Sequence, residues 1–125
     1  MELNDLTYKI RGAIFKVHSS LGPGLLESVY VAALAYELMQ DGLSILTQVG
    51  VPVNYNEVKL ELGFRLDILV DDKVIVEVKS VEVLHDVHKK QLLTYLKLTG
   101  KKIGILVNFN VATLKDKESL IRIIN

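Results

Sequence analysis

The sequence predicts an α/β domain, a central mixed β-sheet with helices on its faces, and three observations carry that prediction. Apolar residues recur at helical spacing through Leu6, Ile10, Ile14 and Val17 and again through Leu26, Val29, Tyr30, Ala33 and Leu34, the pattern of helices packed by one face on a core. Two runs rich in β-branched and apolar residues, 63–70 and 74–80, flank Asp71-Asp72-Lys73, which is the signature of an antiparallel hairpin. A helical segment then separates that hairpin from Lys102-Ile103-Gly104-Ile105-Leu106-Val107-Asn108. Strand, helix, strand in that order implies a right-handed crossover and parallel pairing of the two strands it joins.

The elements follow in order. Residues 5–21 form an amphipathic helix that stops at Gly22-Pro23-Gly24, and residues 25–40 form a second that ends before Asp41-Gly42, as helices do. Strand signals over 43–49 and 51–55 surround Pro52, which lacks an N–H for the ladder and implies an edge or a bulge there. After the hairpin, residues 86–99 read as a helix with Asp86 as N-cap and Gly100 beyond its end, packed through Val87, Leu92, Leu93, Leu96 and Leu98. Residues 102–108 have a buried-strand pattern, and 120–124 add an edge strand. At 125 residues, half of them hydrophobic and with no repeat or low-complexity stretch, residues 1–125 are expected to be a single domain with a substantial core.

The hairpin carries the chemistry. Side chains alternate along a strand, so Arg65, Asp67 and Leu69 are expected on one face and Phe64, Leu66, Ile68 and Val70 on the other, while Ile75, Glu77 and Lys79 oppose Val74, Val76 and Val78. A three-residue loop pairs Val70 with Val74 and sets Asp67 directly across from Glu77; a two-residue loop would put the carboxylates on opposite faces, because a one-residue slip inverts the pattern. Like charges facing each other destabilise a sheet, so a compensating cation is required: Lys79, Arg65 or a divalent metal. Mg²⁺ takes oxygen ligands and is usually held by one or two protein carboxylates plus phosphate oxygens. Asp67, Glu77 and the backbone carbonyl of Val78 offer three such positions, and Lys79 is placed to orient or deprotonate a water and offset phosphate charge.

An isolated Asp-x₉-Glu-x-Lys is more often an ordinary charged strand face, but here further residues accompany it. Asp67, Glu77 and Lys79 on a hairpin resemble the PD-(D/E)xK nuclease superfamily. Glu27, in Gly24-Leu25-Leu26-Glu27, resembles the Gly-x-x-Glu element of the small bacterial GxxExxR family, and Gln91-Leu92-Leu93-Thr94-Tyr95 resembles the Gln-x-x-x-Tyr element of RecB-like exonucleases. The chain departs from these patterns twice: Tyr30 stands where the GxxExxR name calls for Arg, and Leu66 stands where the superfamily name has Pro. The resemblance implies a restriction-endonuclease-like fold and a site of Glu27, Asp67, Glu77, Lys79, Gln91 and Tyr95. It also implies Mg²⁺ or Mn²⁺ held by Asp67, Glu77, the Val78 carbonyl and Glu27.

Read by themselves, these added residues have simpler roles beside the functional ones. Glu27 opens a helix, where a negative charge is favourable. Gln91 and Tyr95 are four apart and share a helix face with His88; Gln91 interrupts an apolar stripe and needs a partner if buried.

Composition bounds the rest. No cysteine is present, which excludes disulfides, thiolate metal sites and cysteine nucleophiles and agrees with a reducing cytoplasm. The N-terminus carries Glu2 and Asp5 and no long apolar run, so neither a signal peptide nor a membrane span is expected. Fifteen basic residues balance fifteen acidic ones, which argues against tight, extended binding to nucleic acid; Lys89, Lys90, Lys97, Lys101 and Lys102 form a local basic cluster expected near the site.

The expected function is metal-dependent hydrolysis of nucleic-acid phosphodiesters, DNA first, in the cytoplasm, with a second copy of so small a chain needed to contact both strands of a duplex. Two other readings stand beside it: an inactive binding module that keeps the fold, and a metal-dependent hydrolase of small phosphate substrates.

Overall fold

The computed structural model describes residues 1–125, the side chains of residues 61 and 62 excepted. Helices α1 (Leu3–Leu21) and α2 (Glu27–Gln40) precede strands β1 (Ile45–Tyr55), β2 (Val58–Val70) and β3 (Val74–Lys79); helix α3 (Asp86–Thr99) leads to β4 (Ile103–Asn108) and β5 (Leu120–Ile124). The five strands form one mixed sheet in the order β1-β2-β3-β4-β5. β3 and β4 pair in parallel, as the crossover through α3 requires, and the other neighbouring strands pair antiparallel. The expected α/β architecture is the observed one.

Two apolar layers sandwich the sheet. Leu6, Ile10 and Ile14 of α1 and Tyr30, Leu34 and Leu38 of α2 pack against Ile68, Val70, Val74, Val76 and Val78. On the opposite face Leu92, Tyr95 and Leu96 of α3 meet Leu66, Leu69, Ile75 and Leu106. The alternation expected along β3 therefore holds. Close approach of α3 depends on Gly104, where an added Cβ would meet the Leu92 side chain at 2.8 Å.

The hairpin loop has the three residues expected, with Val70↔Val74, Leu69↔Ile75 and Ile68↔Val76 paired. Pro52 sits where predicted as well. β1 is one continuous strand with a register shift between Val51 and Val53, and there the chain leans on Gly63, whose Cβ position is filled by the Val51 carbonyl.

Several expectations are corrected. Phe64, Leu66, Ile68 and Val70 do not share a face. Phe64 and Leu66 pack under α3 with Leu69, whereas Ile68 and Val70 pack under α1 and α2. The pleat of β2 thus reverses at Asp67, and Arg65 no longer shares a face with Leu69. β1 reverses at the matching place, since Ile45 belongs to the α1/α2 layer and Val49 and Val51 to the α3 layer. Its register runs from Thr47↔Ile68 directly to Val49↔Leu66, and Gln48 between them has a left-handed φ of 53°.

Around α3, the N-cap is His85, not Asp86. The His85 N–H donates to His88 Nδ1 at 3.0 Å, while Asp86 lies in the first turn, where its charge suits the helix dipole. Val87 and Leu98 are exposed and Leu92, Tyr95 and Leu96 are buried, because the inward stripe follows the 92, 95, 96 spacing. Lys101 and Lys102 precede β4, which runs parallel to β3, so they lie at the end of the sheet away from Lys79. There Lys101 pairs with Asp72 at 3.0 Å.

Candidate functional site

The β2–β3 ladder stops at Ile68↔Val76, and one residue further along each strand stand Asp67 and Glu77. From here side chains take the place of backbone rungs. The Asp67 N–H donates to Glu77 Oε2 at 2.8 Å, and the Val78 N–H donates to Asp67 Oδ2 at 2.8 Å. Each carboxylate is thereby fixed on the neighbouring strand's amide, and the two are brought together as the three-residue loop predicts.

Their charges are poorly tolerated. Glu77 is buried, and that burial, followed by repulsion from Asp67, pushes its carboxyl up to about 8. Burial also raises Asp67, against the Val78 amide, Lys79 and a hydrogen bond from Gln48 that favour its ionised form. Glu27 adds repulsion at both carboxylates, and Lys79 is the cation that bears on both. Arg65 is exposed and faces Gly50 across the β1–β2 ladder, so the compensating role considered for it falls to Lys79.

Glu27 is the first residue of α2. Its Oε2 accepts the Ser80 N–H at 3.4 Å, and Ser80 Oγ donates to the Leu25 carbonyl at 2.6 Å, so the end of β3 is tied to the start of α2. Tyr30 holds the approach to that helix: its hydroxyl donates to the Gly22 carbonyl at 2.5 Å and accepts the Leu25 N–H at 3.1 Å, while its ring stacks on Phe109 at 4.5 Å. The residue standing where the GxxExxR pattern has Arg is therefore fully buried and shapes the loop that presents Glu27.

From the other side, α3 presents Gln91, Tyr95 and His88. Gln91 is exposed, and its side chain hydrogen-bonds Tyr95 one turn on. Tyr95 stacks on Phe64 with ring centroids 4.1 Å apart. Its phenol is raised by burial and then by the negative charges of Glu77 and Asp67, so this face of α3 looks onto the carboxylates. Val78 gives its amide to Asp67 and buries its side chain under α1 and α2.

Three residues of this neighbourhood were not singled out from the sequence. Gln48 stands opposite Asp67 in strained backbone; its sequence signal is a polar residue in a strand run. Ser80 follows the Glu-x-Lys. Asn108, paired with Lys79 in register, is buried and holds the next turn of chain: Oδ1 accepts the Val81 N–H at 3.0 Å and Nδ2 donates to the Val81 carbonyl at 2.9 Å. A lone Asn closing an apolar strand was its only trace.

The donor set suits a hard divalent cation. Two carboxylates share a poorly solvated space in which burial and mutual repulsion disfavour their ionised forms, and a cation reverses both effects. Among the described residues no three His, Cys, Asp or Glu side chains close into a ready-made cage.

Among the described residues, no helix is long and apolar enough to cross a membrane. No curated protein and no solved structure matches the chain. A family model described as the PD-(D/E)XK nuclease superfamily matches residues 4–123, which takes in β1 to β4, β5 as far as Ile123, and both sides of the Asp67–Glu77 site. The chain belongs to the PD-(D/E)XK nuclease superfamily.

Proposed function

We propose that this domain is a divalent-metal-dependent nuclease that hydrolyses DNA phosphodiester bonds. The observation that carries the reading is the Asp67–Glu77 pair, two carboxylates fixed on each other's strands with Lys79 two residues from Glu77. In this reading Asp67, Glu77 and the Val78 carbonyl hold Mg²⁺ or Mn²⁺, with Glu27 fixing water at the outer side. The bound ion supplies Lewis acidity at the phosphate oxygen. Lys79 orients the attacking water and offsets charge that develops on the phosphate. Gln91 holds Tyr95 at the rim, and the pair steadies Lys79 or a phosphate oxygen.

Within the superfamily, Gly24 with Glu27 and Gln91 with Tyr95 support placement beside the GxxExxR proteins and a RecB-like element. Gln48, Glu27 and Gln91 are all exposed around the carboxylates, so the site opens to solvent and suits a polymer better than a small phosphate enclosed on all sides. The absence of cysteine favours a reducing cytoplasm, and a second copy of the chain is the proposed route to both strands of a duplex. Tyr30 standing where the GxxExxR pattern has Arg supports the inactive binding module as the second reading, and zero net charge suits weak retention of nucleic acid without a basic footprint. Incubation with mixed DNA and RNA under Mg²⁺, Mn²⁺ or EDTA separates the two: cleavage only with the divalent ion is expected of the nuclease, and retention without cleavage of the module.

A further inference from the structure

His88 lies in the first turn of α3, on the face shared with Gln91 and Tyr95, and the proposed mechanism does not use it. Its ring is half-buried and near enough to Lys79 and Glu27 for both charges to act on it. The His85 N–H donates to His88 Nδ1 at 3.0 Å. A nitrogen that accepts a hydrogen bond carries no proton, so in neutral His88 the proton is on Nε2. Nε2–H is then the ring's one hydrogen-bond donor. Burial, Lys79 and His85 all hold the ring toward its neutral form. The N-terminus of α3, a helix of 14 residues, brings the positive end of its dipole to the same turn as His88.

Resting on the nuclease reading above, we propose that His88 is a substrate-contacting residue whose Nε2–H donates to a non-bridging oxygen of a nucleic-acid phosphate beside Lys79, with the helix cap at His85 selecting the tautomer that does so. His88 then binds phosphate as a neutral donor, neither acid nor base, and the imidazole couples the geometry of α3 to the position of the scissile group. A charged lysine in its place would add to Lys79; a neutral donor adds direction without further repulsion.

The competing role is structural: His88 occupies the N3 position, where Glu and Gln also reach back to the N-cap amide. That makes the test clean, because His88→Gln and His88→Glu both keep a cap acceptor, yet only Gln can also donate to phosphate. Cleavage of a labelled oligonucleotide under Mn²⁺, with KM and kcat separated, and the melting temperature are measured for wild type and both variants. We expect similar melting temperatures throughout, activity within about threefold of wild type for His88→Gln, and a loss of at least about tenfold for His88→Glu, the scale of one hydrogen bond to a charged group. Equal activity of the two variants would reduce His88 to its cap and overturn the inference while leaving the nuclease reading intact. A wild-type protein that neither binds nor cleaves the oligonucleotide overturns the nuclease reading itself, and the inference with it.

Discussion

Gln48 stands directly across from Asp67 at the position where the β1–β2 ladder passes from Thr47↔Ile68 to Val49↔Leu66 without a rung between them. Both strands reverse their pleat at this point, and the left-handed φ of 53° at Gln48 is what the reversal demands of the backbone. A non-glycine residue held there costs roughly 1–2 kcal/mol, and such strain persists where surrounding structure fixes it, commonly beside functional groups.

Gln48→Gly therefore removes the strain together with the hydrogen bond to Asp67. Stability is expected to stay level or rise by up to about 1 kcal/mol, the relieved strain being partly offset by greater freedom of the unfolded chain. Cleavage is expected to fall because Asp67 loses a restraint. Gln48→Ala keeps the strain and loses only the bond, so it should lower both stability and cleavage. Denaturant titration beside a nuclease assay distinguishes the two variants; a Gly variant of full activity would show that Gln48 serves the strand alone.

Glu77 sets the pH dependence of the metal-free protein. Its folded carboxyl titrates near 8 against 4.5 for the free group, through burial and Asp67. A carboxyl raised on folding contributes stability that is complete below about 4.5 and is lost as pH rises through about 8. Asp67 is shifted in the same direction. In EDTA, thermal stability should therefore decline from pH 5 toward pH 8, with a flatter profile for Glu77→Gln; saturating Mg²⁺ or Mn²⁺ should reverse the decline by stabilising the ionised pair. Melting curves across that range check it, and a wild-type profile as flat as the variant's would contradict the electrostatic account.

Asn108 tests how far the site depends on the chain just beyond Lys79. Its side-chain amide satisfies both the N–H and the carbonyl of Val81. Asn108→Ala takes the shared acceptor from the part-buried Val81 and Asn110 N–H groups, while the Val81 carbonyl keeps Asn110 Nδ2 at 3.3 Å, at a cost of roughly 1–3 kcal/mol. Because Lys79 and Ser80 lie on the same stretch, kcat should fall while the metal-binding enthalpy stays close to wild type. Asn108→Asp keeps the acceptor for the Val81 N–H and should recover part of the stability.

The sheet was legible because its signals are local and mutually consistent. A three-residue turn of Asp and Lys between apolar runs sets the hairpin register, and the apolar runs before and after α3 set the parallel pair. Asp67 facing Glu77 followed from parity alone. What parity could not show is the pleat reversal at Gln48 and Asp67, which misplaced Phe64, Leu66 and Arg65: a reversal shared by two strands leaves no mark in either strand's own alternation. Asn108 and Ser80 were hidden for a related reason, since they act through backbone groups of distant residues. The cap of α3 was misassigned to Asp86 because the imidazole of His88 performs the reach-back usually made by Glu or Gln.

The central claim is that Asp67 and Glu77 bind a divalent ion which Lys79 then exploits. Asp67→Ala would orphan the Val78 amide bonded to Oδ2, whereas Asp67→Asn keeps an acceptor, removes one of the opposed charges, and should leave the fold as stable or more so. The most direct measurement is the rate of Mn²⁺- or Mg²⁺-dependent cleavage of labelled DNA by wild type, Asp67→Asn and Lys79→Ala, read beside calorimetric titration of the ion into each. The account predicts cleavage by wild type that EDTA abolishes, loss of both metal binding and cleavage in Asp67→Asn, and loss of cleavage with metal affinity kept or raised in Lys79→Ala. Wild-type protein that takes up no divalent ion at millimolar concentration, or cleavage that survives Asp67→Asn, would contradict it.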